Sequence, residues 1–152
     1  MSAQLTYYVF EGVLVGVLDN HRVHIPALSG GGGGSTKSSP ADTTNNSYMT
    51  GLKTADTKGK HIHGGAIPLG KYAIAMPAQH PHLGRSARLA ATGGQSMYRR
   101  DGFFIHGRGP HGSDGCIVPL DAGQFTKLME ALEKSKGGFL WVEESMGGTR
   151  FA

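Results

Sequence analysis

A histidine and the only cysteine of the chain stand ten residues apart in Phe103-Phe104-Ile105-His106-Gly107-Arg108-Gly109-Pro110-His111-Gly112-Ser113-Asp114-Gly115-Cys116-Ile117. A thiol with a pKa of about 8.5 is mostly protonated at neutral pH, and it becomes a strong nucleophile when an imidazole takes its proton or steadies the thiolate. His106 closes an apolar strand, a glycine-rich loop follows, and Cys116 ends the loop, so the two groups are near enough along the chain to meet in space. Gly112 and Gly115 let backbone approach a substrate closely, and the amides around Asp114, Gly115 and Cys116 are candidates to cradle an oxyanion. His111 is the rival base, but it sits mid-loop, where its ring would be poorly fixed. The competing reading of Cys116 is packing, because unpaired cysteine often behaves as a small buried hydrophobe.

The elements that must hold these groups are mostly strands. Thr6 to Phe10, Val13 to Leu18 and Arg22 to Ile25 alternate around turns at Glu11-Gly12 and Asp19-Asn20, which predicts an N-terminal meander over residues 5–26. Residues 29–49 hold the unbroken run Gly30 to Gly34 among Ser, Thr, Asn and Asp, the composition of a flexible loop. Further strands are expected at Lys71 to Met76, Ser86 to Ala91, Gly102 to His106 and Phe139 to Val142. One helix is expected over about residues 121–135: Asp121 is its N-cap candidate, Phe125, Leu128, Met129 and Leu132 share a face, and Gly137-Gly138 stops it. Seven strands to one helix predict a mostly β domain, a sandwich or barrel with one packed helix.

With 152 residues, 25 glycines, 38% hydrophobic and 17% charged residues, the chain suits a single domain rich in turns and excludes a coiled coil. Its formal charge of +4 suits an anionic partner but is too small to imply nucleic acid. No stretch reaches the roughly 18 to 20 apolar residues of a membrane helix. The first 25 residues lack the basic start, apolar core and cleavage site of a secretory signal, so a product of the cytoplasm that works outside it is expected to leave by another route.

His106-Gly107 followed by Ser113-x-Gly115-Cys116 resembles the signature of the YkuD-type L,D-transpeptidases, and Pro68-Leu69-Gly70-Lys71-Tyr72-Ala73-Ile74 resembles an upstream strand motif of the same family. The N-terminal hairpin ending at Ser29-Gly30 is most similar to the branch of type VI secretion L,D-transpeptidase effectors, toxins delivered into a neighbouring bacterium's periplasm. The resemblance implies an L,D-transpeptidase-like β fold, peptidoglycan stem peptides as substrate and a thioester on Cys116. It makes His106 the base, oriented by a backbone carbonyl, and Ser113 a residue that shapes the loop. It further implies transpeptidase or carboxypeptidase chemistry and a periplasmic immunity protein as partner. One departure stands out: many members carry an arginine two residues after the cysteine, where this chain has Val118, which leaves Arg108 as the nearest substitute.

Arg99, Arg100 and Arg108, with Arg85 and Arg88, form a basic run that either is a solvated face or holds the carboxylates of a stem peptide, together with His111, Asp114 and Tyr72. His61-x-His63 and His80-x-His82 have ligand-like spacing but no acid or thiol to complete a tetrahedron, so neither a metal nor another cofactor is expected, although one of these histidines could line the cleft. Two other readings compete: a sortase-like transpeptidase, for which Arg150 is too close to the C-terminus, and a non-enzymatic cell-wall or partner-binding β-domain.

Overall fold

The computed structural model describes residues 2–29, 66–95, 97, 102–107 and 115–147. The Gly/Ser-rich stretch, apart from Ser29, lies outside the described residues.

The described residues form nine strands, the longer ones on alternating apolar and polar residues: β1 Ala3–Tyr8, β2 Val13–Leu18, β3 His21–Ser29, β4 Gly70–Ile74, β5 Ala78–His80, β6 Gly84–Ala91, β7 Phe103–His106, β8 Ile117–Pro119 and β9 Gly138–Glu143. They form one sheet in the order β4-β9-β1-β2-β3-β8-β7-β6-β5, and an additional β4–β6 pairing closes it into a barrel. The β1–β9 and β7–β8 pairs are parallel. Asp19 and Asn20 both take positive φ, of 50° and 63°, the backbone that a two-residue turn between twisted antiparallel strands requires.

The period of two puts Leu5 and Tyr7 of β1, Leu14 of β2, Ala27 of β3, Tyr72 of β4, Ala87 of β6, Ile105 of β7 and Leu140 of β9 into one buried core. Each large aliphatic side chain so buried contributes about 1.5 to 3 kcal/mol relative to exposure. Tyr7 is buried with its hydroxyl donating to the Ala27 carbonyl at 3.1 Å, so its polar tip is satisfied across the meander.

Among the described residues one helix, α1, spans Ala122–Lys134 between β8 and β9. Asp121 caps it, its carboxylate accepting from the Gln124 amide at 2.8 Å. Leu128, Met129 and Leu132 join the core, and an Arg85–Glu133 ion pair ties the last turn to β6.

Candidate active site

Two short strands bring the sequence's chemical pair together. In the parallel β7–β8 pair Ile105 lies opposite Ile117, and both are fully buried. His106 follows Ile105 and Cys116 precedes Ile117, so strand alternation turns both to the other face of the sheet, where each is half-buried. Two residue rises and one strand spacing put their Cα atoms about 8 Å apart, a gap that a thiol and an imidazole leaning toward each other can close. The Cys116 thiol also lies 3.9 Å from the Gly102 carbonyl, at the far end of β7 from His106.

The imidazole is already oriented. His106 Nδ1 lies 2.8 Å from the Gly107 carbonyl oxygen, which can only accept, so Nδ1 carries the hydrogen and Nε2 keeps its lone pair. Phe125 of α1 supports that carbonyl's residue: a Cβ at Gly107 would stand 3.5 Å from the Phe125 ring. Burial lowers the His106 pKa from its ordinary value; the Gly107 bond pulls it back up and the nearby His80 pushes it further down.

Continuing the register outward adds the neighbours of the pair. His106 lies opposite Ser86 and Phe104 opposite Arg88, while His80 of β5 lies opposite Gly84, so His80, Ser86 and Arg88 share the face of His106 and Phe104. The His80 ring packs edge-on against Phe104 at 5.0 Å. Its Nδ1 accepts from the His82 and Leu83 amides at 3.0 and 3.2 Å, which fixes the ring and occupies one of its two possible ligand atoms. Among the described residues no three His, Cys, Asp or Glu side chains are grouped to hold a metal.

The residue before the cysteine carries a structural demand. Gly115 has φ of 122°, a conformation that side-chain-bearing residues rarely adopt, and it turns the chain from the loop into β8. Its carbonyl accepts at 2.9 Å from the hydroxyl of Ser29, the last residue of β3, and the same hydroxyl accepts from the Ile67 amide at 3.0 Å. Sequence reasoning placed Ser29 at the start of a solvated loop, whereas it is a strand residue with 0% exposure. Its one visible signal was position: Arg22-Val23-His24-Ile25 alternates, and the same parity carried through Ala27 turns Ser29 inward.

Tyr72, expected at the substrate, is corrected to an interior residue. It has 0% exposure, its ring meets Phe103 edge-on at 6.5 Å, and its hydroxyl donates to the Pro68 carbonyl at 2.7 Å. It fixes the segment leading into β4 and presents nothing to solvent. Arg99, Arg100, Arg108, His111, Ser113 and Asp114 lie outside the described residues, as do His61 and His63.

A family model described as the Tlde1 domain matches residues 53–140. Among solved structures, the chain is similar to an L,D-transpeptidase from Xylanimonas cellulosilytica (TM-score 0.54, 16% identity, 93% of this chain and 60% of that one). It is also similar to the helical cell shape determining protein Pgp2 from Campylobacter jejuni (TM-score 0.52, 14% identity, 95% and 48%) and to an L,D-transpeptidase from Mycobacterium smegmatis (TM-score 0.50, 10% identity, 93% and 58%). At these identities the likeness is one of fold, and the chain spans about half to three fifths of the length of these proteins. No curated protein matches the sequence.

Proposed function

The chain belongs to the Tlde1 domain family of type VI secretion L,D-transpeptidase effectors, and from that premise we propose that it is a cysteine acyltransferase acting on peptidoglycan stem tetrapeptides. The observation that carries the reading is the β7–β8 register, which turns His106 and Cys116 to one face while the Gly107 carbonyl fixes the imidazole with Nε2 unprotonated. Acyl transfer needs a nucleophile, a base and an oxyanion site, and the register of these two strands supports a nucleophile and a base on one face.

The steps follow from those atoms. His106 Nε2 takes the Cys116 thiol proton. The sulfur attacks the carbonyl of the third stem residue, a meso-diaminopimelate, and the carbonyl oxygen takes the negative charge. Collapse of the tetrahedral intermediate expels the terminal D-alanine, whose amine nitrogen takes the proton back from Nε2, and a thioester remains on Cys116. Water then releases a tripeptide, or an amine of a D-amino acid or second stem forms a new amide. Burial supports the base role, because an imidazole with a lowered pKa stays neutral and ready to accept a proton at mildly acidic pH.

Mass spectrometry of muropeptides after incubation with a purified tetrapeptide tests the reading. Wild type should release D-alanine, and Cys116→Ala should release none while keeping its fold, since it removes only the nucleophile and a small volume. His106→Ala should lower turnover by about 10²- to 10⁴-fold, the usual contribution of a positioned base. D-alanine release by a folded Cys116→Ala would end the mechanism.

A further inference from the structure

We propose that Phe125 of α1 is a positioning residue: its ring backs Gly107 and so holds the carbonyl that keeps the His106 imidazole in its Nδ1–H form. The inference rests on the acyl-transfer reading for what the imidazole does, and goes on to what holds it.

Position sets Phe125 apart from the rest of its helix face. Phe125, Leu128, Met129 and Leu132 share the apolar face of α1, but the last three are fully buried in the core, whereas Phe125 is only partly buried against it. It stands in the first turn, where its amide donates to the Asp121 carbonyl at 2.9 Å. Its side chain borders a hollow of about 100 Å³ lined also by Arg85, Thr126, Met129 and Glu130, and Arg85, Thr126 and Glu130 are exposed. A ring beside an open hollow fills the core less completely than its three neighbours do. What it does close is the space beside Gly107.

Gly107 has no side chain to limit its own backbone, and the direction of its carbonyl depends on that backbone. Among the described residues, chain neighbours aside, the three atoms nearest to where its Cβ would stand all belong to the Phe125 ring, at 3.5, 3.7 and 3.9 Å. These are van der Waals distances, so the ring closes that side of the residue without crowding it. With that side closed the Gly107 peptide cannot swing toward α1, and its oxygen stays 2.8 Å from His106 Nδ1. That bond decides the tautomer: while it stands, Nδ1 carries the hydrogen and Nε2 keeps its lone pair. The chain joins the two halves of the pair by a short route. Cys116 leads into β8, β8 leads to the Asp121 cap and α1, and Phe125 in the first turn of α1 comes back to the residue after His106. One strand–turn–helix unit therefore carries both the nucleophile and the support of the base.

NMR of the histidine ring nitrogens, at a pH where the rings are neutral, reads the tautomer with no substrate present, and the spectrum of His106→Gln identifies the His106 signals. Wild type should show His106 in the Nδ1–H form. Folded Phe125→Ala should show a mixture of the two neutral forms, and its kcat for D-alanine release should fall about 10- to 100-fold, the cost of misplacing a reacting group. KM should stay close to wild type, because the change acts on the base. A His106 that remains wholly Nδ1–H in Phe125→Ala overturns the proposal whatever happens to kcat, since it would leave Phe125 a packing residue only. Mixed tautomers with undiminished kcat overturn it as well. Should Phe125→Ala fail to fold, Phe125→Leu, which keeps apolar bulk but no ring, decides on the same two readouts. A wild-type chain inert toward tetrapeptide overturns the acyl-transfer reading and with it the role of base, whereas the tautomer comparison, which needs no turnover, still decides whether Phe125 holds the imidazole.

Discussion

His106 is tuned chiefly by what surrounds it. Desolvation disfavours the imidazolium, the Gly107 carbonyl favours it, and His80 disfavours it further, with a net shift downward. A histidine whose folded pKa lies below its unfolded value of about 6.5 binds fewer protons in the native state. Stability from this group is therefore present above pH about 6.5 and is lost as pH falls through the lowered folded value. Urea unfolding at a series of pH values should show a steeper acid loss for wild type than for His106→Gln. The same shift puts the acid limb of kcat/KM below the ordinary histidine range, and His80→Gln, by removing the neighbour that pushes the His106 pKa down, should move that limb to higher pH. An acid limb that stays put would remove His80 from the tuning of the base. At this scale the sequence was legible where chemistry and string coincide: a histidine-glycine pair and a serine-x-glycine-cysteine run announce themselves. It was opaque at Ser29 and Tyr72, whose types are common both at surfaces and in cores. Only the strand parity that buries them tells the two apart.

The elements differ in how plainly their sequences declare them. The helix was readable because 13 residues carry more than three turns of period and a capping aspartate, whereas β5 and β8, at three residues each, are too short to show any period. The resemblance alone implied order around Cys116, and it is β8 that sets the register of the pair. Turn chemistry at the end of α1 makes a prediction. Gly137 has φ of 85°, and a Cβ there would collide with the Ile74 carbonyl oxygen, while its amide caps the helix by donating to Leu132 at 2.8 Å. Gly137→Ala must strain that backbone and displace β4 from β9, so it should cost more than the ~1 kcal/mol typical of a lost cap. Asp121→Ala, which removes only the carboxylate bonded to Gln124, should cost about 1 kcal/mol. Thermal melts of both variants should rank them in that order, and equal melting points would show that the turn after α1 can relax.

At the scale of the molecule, the barrel depends on strands that the family match does not include. Residues 53–140 hold β4 to β8, the helix and only the start of β9, yet β1, β2 and β3 stand between β9 and β8 in the sheet. Without them β8 and β9 would each expose an open edge, and the buried Leu5, Tyr7 and Leu14 would be missing from the core, so residues 53–152 alone should not fold. That dependence constrains the experiment on place and partner. Under the proposed function the substrate is mature wall, so the chain should be harmless where it is made and toxic when carried to a periplasm by a fused Sec signal. Ala3 already donates to Gly137 and pairs with Gly138, so the signal must be joined through a cleavable flexible spacer ahead of Met1, or it will disturb β1 and produce an inert protein for the wrong reason. Wild type and Cys116→Ala, each with and without the signal, give four strains. Growth arrest confined to exported wild type fits an enzyme that consumes tetrapeptide donors, and the producer then needs a periplasmic inhibitor able to cover the His106 and Cys116 face. Exposed Arg88 on that face would favour acidic groups on such a partner, because opposite charge accelerates encounter. Arrest that survives Cys116→Ala would place the toxicity outside acyl transfer, and arrest without export would place the target in the cytoplasm.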